Sequence, residues 1–212
     1  MRVVLDTNIL VRLAILDDPQ NRTAGLAVSS LRAAGRELRL LPQSVYEFRV
    51  VATRAVDANG RGLTVADADR LIDTFDASFP LLPDPDSLFG RWRELVKQFD
   101  VKGKPAHDAR IAAAMRVHGV TDLLPFNVCD FGRYLDIHVL DPARESATDK
   151  RNGRAEWEPR QPLPSSGLTG PRLGVDAVAL MGHAAAESRG GADGRDRAGT
   201  GPRADADGVR RH

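Results

Sequence analysis

MRVVLDTNIL, residues 1–10, sets three apolar residues, Val3, Val4 and Leu5, directly against an acidic one, Asp6, followed by the short polar Thr7 and Asn8. Consecutive aliphatic side chains over so short a run suit a strand buried on both faces. Asp6 ends the run, because a carboxylate inside a sheet is costly. Thr7 and Asn8 have side chains that turn a chain into a helix and hydrogen-bond a neighbouring carboxylate. The expectation is a buried strand, an acid at its C-terminal end and a helix beginning near Asn8.

Outward from this stretch, the same kind of run recurs at Leu38 to Leu41, Phe79 to Leu82, Leu123-Leu124 and Ile137 to Leu140. Together the five runs predict a parallel sheet. Between them lie helical patterns. Leu88, Trp92, Leu95, Val96 and Phe99 form one helical stripe behind Ser87, the expected N-cap. Thr64 with Asp67 three residues on, ahead of Leu71, Ile72 and Phe75, has the form of a capping box. Ala109 to His118 is an Ala-rich helix that meets Gly119 as its C-terminal stop. Strands alternating with helices at these lengths predict an α/β sandwich.

The pattern stops after Asp141-Pro142. Residues 145–212 take 11 of the 19 glycines and 5 of the 13 prolines, hold neither Ile nor Phe, and keep one aromatic residue, Trp157. So little apolar surface does not offset ~1–2 kcal/mol of backbone ordering entropy per residue. We therefore expect a folded domain over 1–144 and a low-complexity, disordered tail over 145–212, within which Val175 to Glu187 is a marginal helix.

Charge does not single out a partner. Residues 1–144 carry 19 Lys+Arg against 19 Asp+Glu and the remainder 11 against 10, so no global basic field marks the chain for nucleic acid. The single cysteine, Cys129, excludes an intramolecular disulfide and a Cys-cluster metal site, and suits a reducing compartment. Asp6 breaks the first apolar run too early for a signal-peptide core. No run approaches the ~18 apolar residues of a membrane span. A soluble, cytoplasmic protein is expected.

Four carboxylates stand where a parallel sheet opens its ligand crevice. Asp6 follows the first strand. Glu47, in Ser44-Val45-Tyr46-Glu47-Phe48, borders the helix face formed by Val45, Phe48, Val51 and Ala52. Asp108 opens the Ala-rich helix, and Asp130 follows the Leu123-Leu124 strand, three residues after Asn127. Taken singly, each has a simpler explanation as a helix cap or a solvated helix residue, and an acid in a first turn is favoured by ~0.3–1 kcal/mol whatever its function. Taken jointly, four converging carboxylates repel one another unless a divalent cation neutralises them, and oxygen donors suit Mg²⁺ or Mn²⁺. Phosphodiester hydrolysis uses such sites.

VVLDTNIL (3–10), QSVYEF (43–48), HDARIAAAM (107–115) and LLPFNVCDF (123–131), in this order, resemble the four motifs of PIN-domain ribonucleases, particularly the VapC-like toxins of toxin–antitoxin modules. The likeness spans Met1 to about Pro142. It implies a three-layer α/β/α sandwich around a central parallel sheet and a Mg²⁺- or Mn²⁺-dependent endoribonuclease acting on RNA. It also implies a homodimer and inhibition by a small antitoxin protein. On this resemblance Asp6, Glu47, Asp108 and Asp130 are the catalytic acids, Asp6 and Asp108 the metal ligands, and Thr7, Asn8 and Asn127 their supports. Pro125 departs from the pattern, standing where relatives commonly carry Thr or Ser, so a hydroxyl and a backbone donor are missing.

Secondary candidates are His107 beside Asp108, the cations Lys104, Arg110, Arg116 and Arg133 as phosphate contacts, and Tyr46 and Phe126 as base-stacking rings. Other α/β readings fit less well. A haloacid-dehalogenase-like phosphatase needs an acid at position 8, which is Asn, and a dinucleotide site needs a glycine-rich loop after the first strand. The remaining alternative is a PIN-like module that binds RNA or a partner with little or no catalysis.

Overall fold

A computed structural model describes residues 1–151. The chain runs β1 (Arg2–Leu5), α1 (Thr7–Ala14), α2 (Asn21–Ala33), β2 (Glu37–Arg39), α3 (Pro42–Thr53), α4 (Val65–Ser78), α5 (Leu88–Gln98), α6 (Ala106–His118), β3 (Asp122–Leu124), β4 (His138–Val139) and α7 (Pro142–Arg151). The strands form one parallel sheet in the order β2-β1-β3-β4, with Val4 opposite both Arg39 and Leu123.

Alternation along β1 builds the layers. Val3 and Leu5 point into a core shared with α1, α2, α3 and α4, while Val4 points to the opposite side, where Leu123 joins α5 and α6. Helices thus cover both faces, giving the three-layer α/β/α sandwich. The helix α6 lies flush on its face of the sheet because Ala109, Ala112, Ala113 and Ala114 allow close approach, and Gly119 ends it in the left-handed conformation at φ 61°. Thr64 caps α4 by accepting from the Asp67 N–H, as the sequence suggested.

Three expectations need correction. Phe79 to Leu82 does not form a fifth strand and meets β2's extension only in an isolated Leu40–Leu81 bridge. Pro80 lacks the N–H that would extend that ladder toward Leu38. Ser87 precedes α5 but its side chain makes no cap bond, because its backbone is already helical within the turn from Pro85. The boundary expected at 144 falls inside α7, which packs along α2 and carries the described chain to Arg151. The rest of the expected tail, with Val175 to Glu187, lies outside the described residues. Among the described residues no helix is long and apolar enough to cross a membrane.

Candidate active site

The chain leaves β1 toward β2 on one side, while β3 pairs on the other, so strand order reverses at the C-terminal ends of β1 and β3. A crevice opens at such a point in parallel sheets. Asp6 sits in it. Its N–H donates to the Leu124 carbonyl at 3.1 Å, tying the two strand ends together. One carboxylate oxygen accepts from the Thr7 N–H at 2.8 Å, and the other from the Asn8 side-chain amide at 2.8 Å. Asp6 is the N-cap of α1 and is 5 % exposed.

Glu47 reaches the crevice from α3. It accepts from the Thr7 hydroxyl at 3.0 Å and from the Gln43 amide at 2.8 Å, and the His107 ring nitrogen Nδ1 stands 3.5 Å away. Underneath, the buried Ser44 hydroxyl donates to the Leu5 carbonyl, fixing α3 to the end of β1. Asp108 enters in the first turn of α6. Asp130 lies on an exposed 3-10 turn, Val128–Phe131, after β3.

Electrostatics link the four. Burial pushes the Asp6 carboxyl up to about 6, outweighing the Thr7 and Asn8 hydrogen bonds, and the charges of Glu47 and Asp108 raise it further. Asp108 is also pushed up to about 6, by burial first and then by Asp130 and Glu47, against the lowering influence of His107 and Arg133. Asp6, Glu47 and Asp108 therefore feel one another's charge, and Asp130 acts on Asp108. Among the described residues no three His, Cys, Asp or Glu side chains stand close enough to clasp a metal ion as placed.

The sequence pattern of the PIN domain family matches residues 3–127, which hold Asp6, Glu47 and Asp108. The chain belongs to the PIN-domain family. One solved structure shares this fold at a TM-score of 0.50, and others align more loosely. VapBC2 from Rickettsia felis, bound to a DNA fragment from their promoter, aligns at a TM-score of 0.50 and 17 % identity, covering 66 % of this chain and 98 % of that one. VapBC-1 from nontypeable Haemophilus influenzae aligns at 0.48 and 19 %, covering 67 % and 98 %. FitAcB from Neisseria gonorrhoeae aligns at 0.47 and 21 %, covering 66 % and 97 %. No curated protein matches the chain in sequence.

Around the acidic crevice of this PIN domain, sequence reasoning overlooked Gln43. Its amide bridges Glu47 and the His107 carbonyl, and its oxygen accepts from Arg110 Nη1 at 3.1 Å. The spacing of four residues to Glu47 on one helix was the available signal. Asn127, expected to support the acids, is exposed and its side chain makes no cap bond to the turn that follows. The cations sort themselves. Arg110 pairs with Asp84, and Arg116 makes two bonds to Asp136 at 2.6 and 2.7 Å, whereas Arg133 and Lys104 stay exposed. Phe126 is half-buried against the core with the Arg12 guanidinium 4.6 Å from its ring centre, and Tyr46 is exposed.

Proposed function

We propose that this PIN domain is an endoribonuclease dependent on Mg²⁺ or Mn²⁺, the toxin of a toxin–antitoxin pair. One observation carries the reading: Asp6 is buried at the strand-order reversal with no ion pair among the described residues, and the like charges of Glu47 and Asp108 act on it against the more weakly coupled Arg12. A carboxylate buried among carboxylates is a place prepared for a cation. The donors are all oxygens, which suits a hard divalent ion.

Asp6 and Asp108 would hold that ion, with Glu47 and Asp130 adding charge from either side. The ion supplies Lewis-acid activation of the scissile phosphate and of the attacking water. The protein's own work is to fix Asp6 through Thr7 and Asn8, and to aim Glu47 through Thr7 and Gln43. Neutral pH lies above both raised pKa values, so both carboxyls are mostly ionised, as ligands must be. The likeness to VapBC and FitAcB folds supports a small antitoxin as partner, and the motif resemblance supports a homodimer. RNA as substrate makes the cytoplasm the place of action.

Cleavage of a generic single-stranded RNA in Mn²⁺ tests the reading. Asp6→Asn and Asp108→Asn should each lower the rate at least about a hundredfold, the loss of a group acting chiefly in the transition state. Equal rates in wild type and Asp6→Asn would refute the assignment.

A further inference from the structure

Beside the acidic crevice, a second cleft of about 340 Å³ is lined by Asp84, Pro85, Asp86, Leu88, Phe89, Trp92 and Arg110. Its walls are apolar and aromatic. Phe89 is 65 % exposed, an unusual place for a large ring, and its centroid lies 5.7 Å from that of Trp92 at an interplanar angle of 33°. The Trp92 indole N–H donates to the Ala106 carbonyl at 3.0 Å, which fixes that ring to the start of the helix bearing Asp108. Arg93 lies over Phe89 at 5.9 Å.

The polar pole of the cleft is selective. Arg110 spends one N–H on Gln43 and one on Asp84, leaving further guanidinium N–H groups, while Asp86 has no hydrogen-bond or ion-pair partner among the described residues. Two carboxylates against one guanidinium disfavour a phosphate. Exposed rings beside donors and acceptors instead suit a flat heterocycle that stacks and is read along its edges. Guanine fits this pattern better than the other bases. Its O6 and N7 accept from arginine, and its N1–H and N2–H groups donate to a carboxylate.

Arg110 joins the cleft to the crevice, since Nη1 donates to Gln43, whose amide donates to Glu47. We propose that the Phe89/Trp92 cleft is a guanine-binding subsite that seats one base of the RNA beside the carboxylate crevice. Its role in cleavage rests on the ribonuclease reading above, but its ability to bind guanine does not.

Guanosine monophosphate and uridine monophosphate, titrated separately into the full chain, provide the test. The readout is the Trp92 indole N–H resonance, assigned with Trp157→Phe. Guanosine monophosphate should shift it saturably with a Kd on the order of 1 mM, a stacked base with one recognised edge. Uridine monophosphate should shift it at least about tenfold more weakly. Phe89→Ala and Asp86→Asn should each weaken the guanine response about tenfold, and Phe89→Ala should remove any preference for guanine-containing RNA over oligouridine in cleavage. Equal responses to the two nucleotides, no response, or a response unaffected by both variants would overturn the proposal. If guanine binds and wild-type protein cuts no RNA, the subsite stands and the ribonuclease reading falls.

Discussion

Two buried aspartates stand at opposite ends of neighbouring strands. Asp6 lies just past the C-terminal end of β1 and Asp122 at the N-terminal start of β3, at 5 % and 4 % exposed. The protein treats them differently. Asp122 is ion-paired with Arg36 and faces the His138 ring nitrogen Nδ1 at 3.1 Å, so its charge is met by basic groups. Asp6 makes no ion pair among the described residues: it accepts from the neutral donors Thr7 and Asn8, Glu47 and Asp108 raise it with like charge, and Arg12 acts on it only through space. An acid neutralised from within the chain holds a fold together. An acid buried beside acids has no such partner in the chain, and on the function proposed above that contrast separates the scaffold end of this sheet from the working end.

Breaking the scaffold end should have the larger effect. Asp122→Asn leaves Arg36 without its counter-charge, and because Arg36 keeps some solvent contact the expected loss is about 2–3 kcal/mol, below the top of the range for buried pairs. Urea unfolding at neutral pH measures it, and any response to Mn²⁺ should survive.

The same substitution at the working end should act in the opposite direction. Asp6 has its folded pKa raised from 3.8 to about 6, so the folded state binds the proton more tightly than the unfolded chain. The penalty is absent below pH 4, grows as pH rises toward 6 and is fully present above it. It amounts to roughly 3 kcal/mol at neutral pH. Asp6→Asn removes this penalty but gives up one of two accepted hydrogen bonds, worth about 1 kcal/mol. In chelator it should therefore unfold about 1–2 kcal/mol later than wild type at pH 7, and no later at pH 4. Greater stability of wild type at both pH values would erase the contrast between the two aspartates.

A smaller effect sharpens the picture. Glu47→Gln withdraws one charge from Asp6 and Asp108, so both carboxyls should titrate at lower pH, by a fraction of a unit for the secondary influence that Glu47 exerts. Carbon-detected titration of the two carboxyls reads it directly. Unmoved titrations would remove Glu47 from the shared crevice.

The working end was legible in the sequence where local chemistry decided it. Asp6 stands out because Val3 to Leu5 can only be buried and Thr7 and Asn8 can only turn and bond, all within one short stretch. Glu47 was visible as a border residue of α3, but its contacts with Thr7 and His107 depend on how α1, α3 and α6 approach one another, which no local pattern encodes. The scaffold end was silent for the same reason: Arg36, Asp122 and His138 are far apart in sequence and meet only through strand pairing. Phe79 to Leu82 misled because its apolar content outweighed the missing donor of Pro80. The C-terminal part of α7 was lost because composition averaged over 145–212 concealed a short helix that packs along α2.

Thermal unfolding of wild type and Asp6→Asn in rising Mn²⁺ at neutral pH tests the central claim most directly. A cation that binds only the native state stabilises by RT ln(1 + [Mn²⁺]/Kd), so the wild-type Tm should climb steadily once the ion exceeds its Kd. The Asp6→Asn Tm should start higher in chelator and stay nearly flat. Parallel climbs in both proteins, or no climb in wild type, would contradict the assignment of the β1–β3 crevice as a cation site.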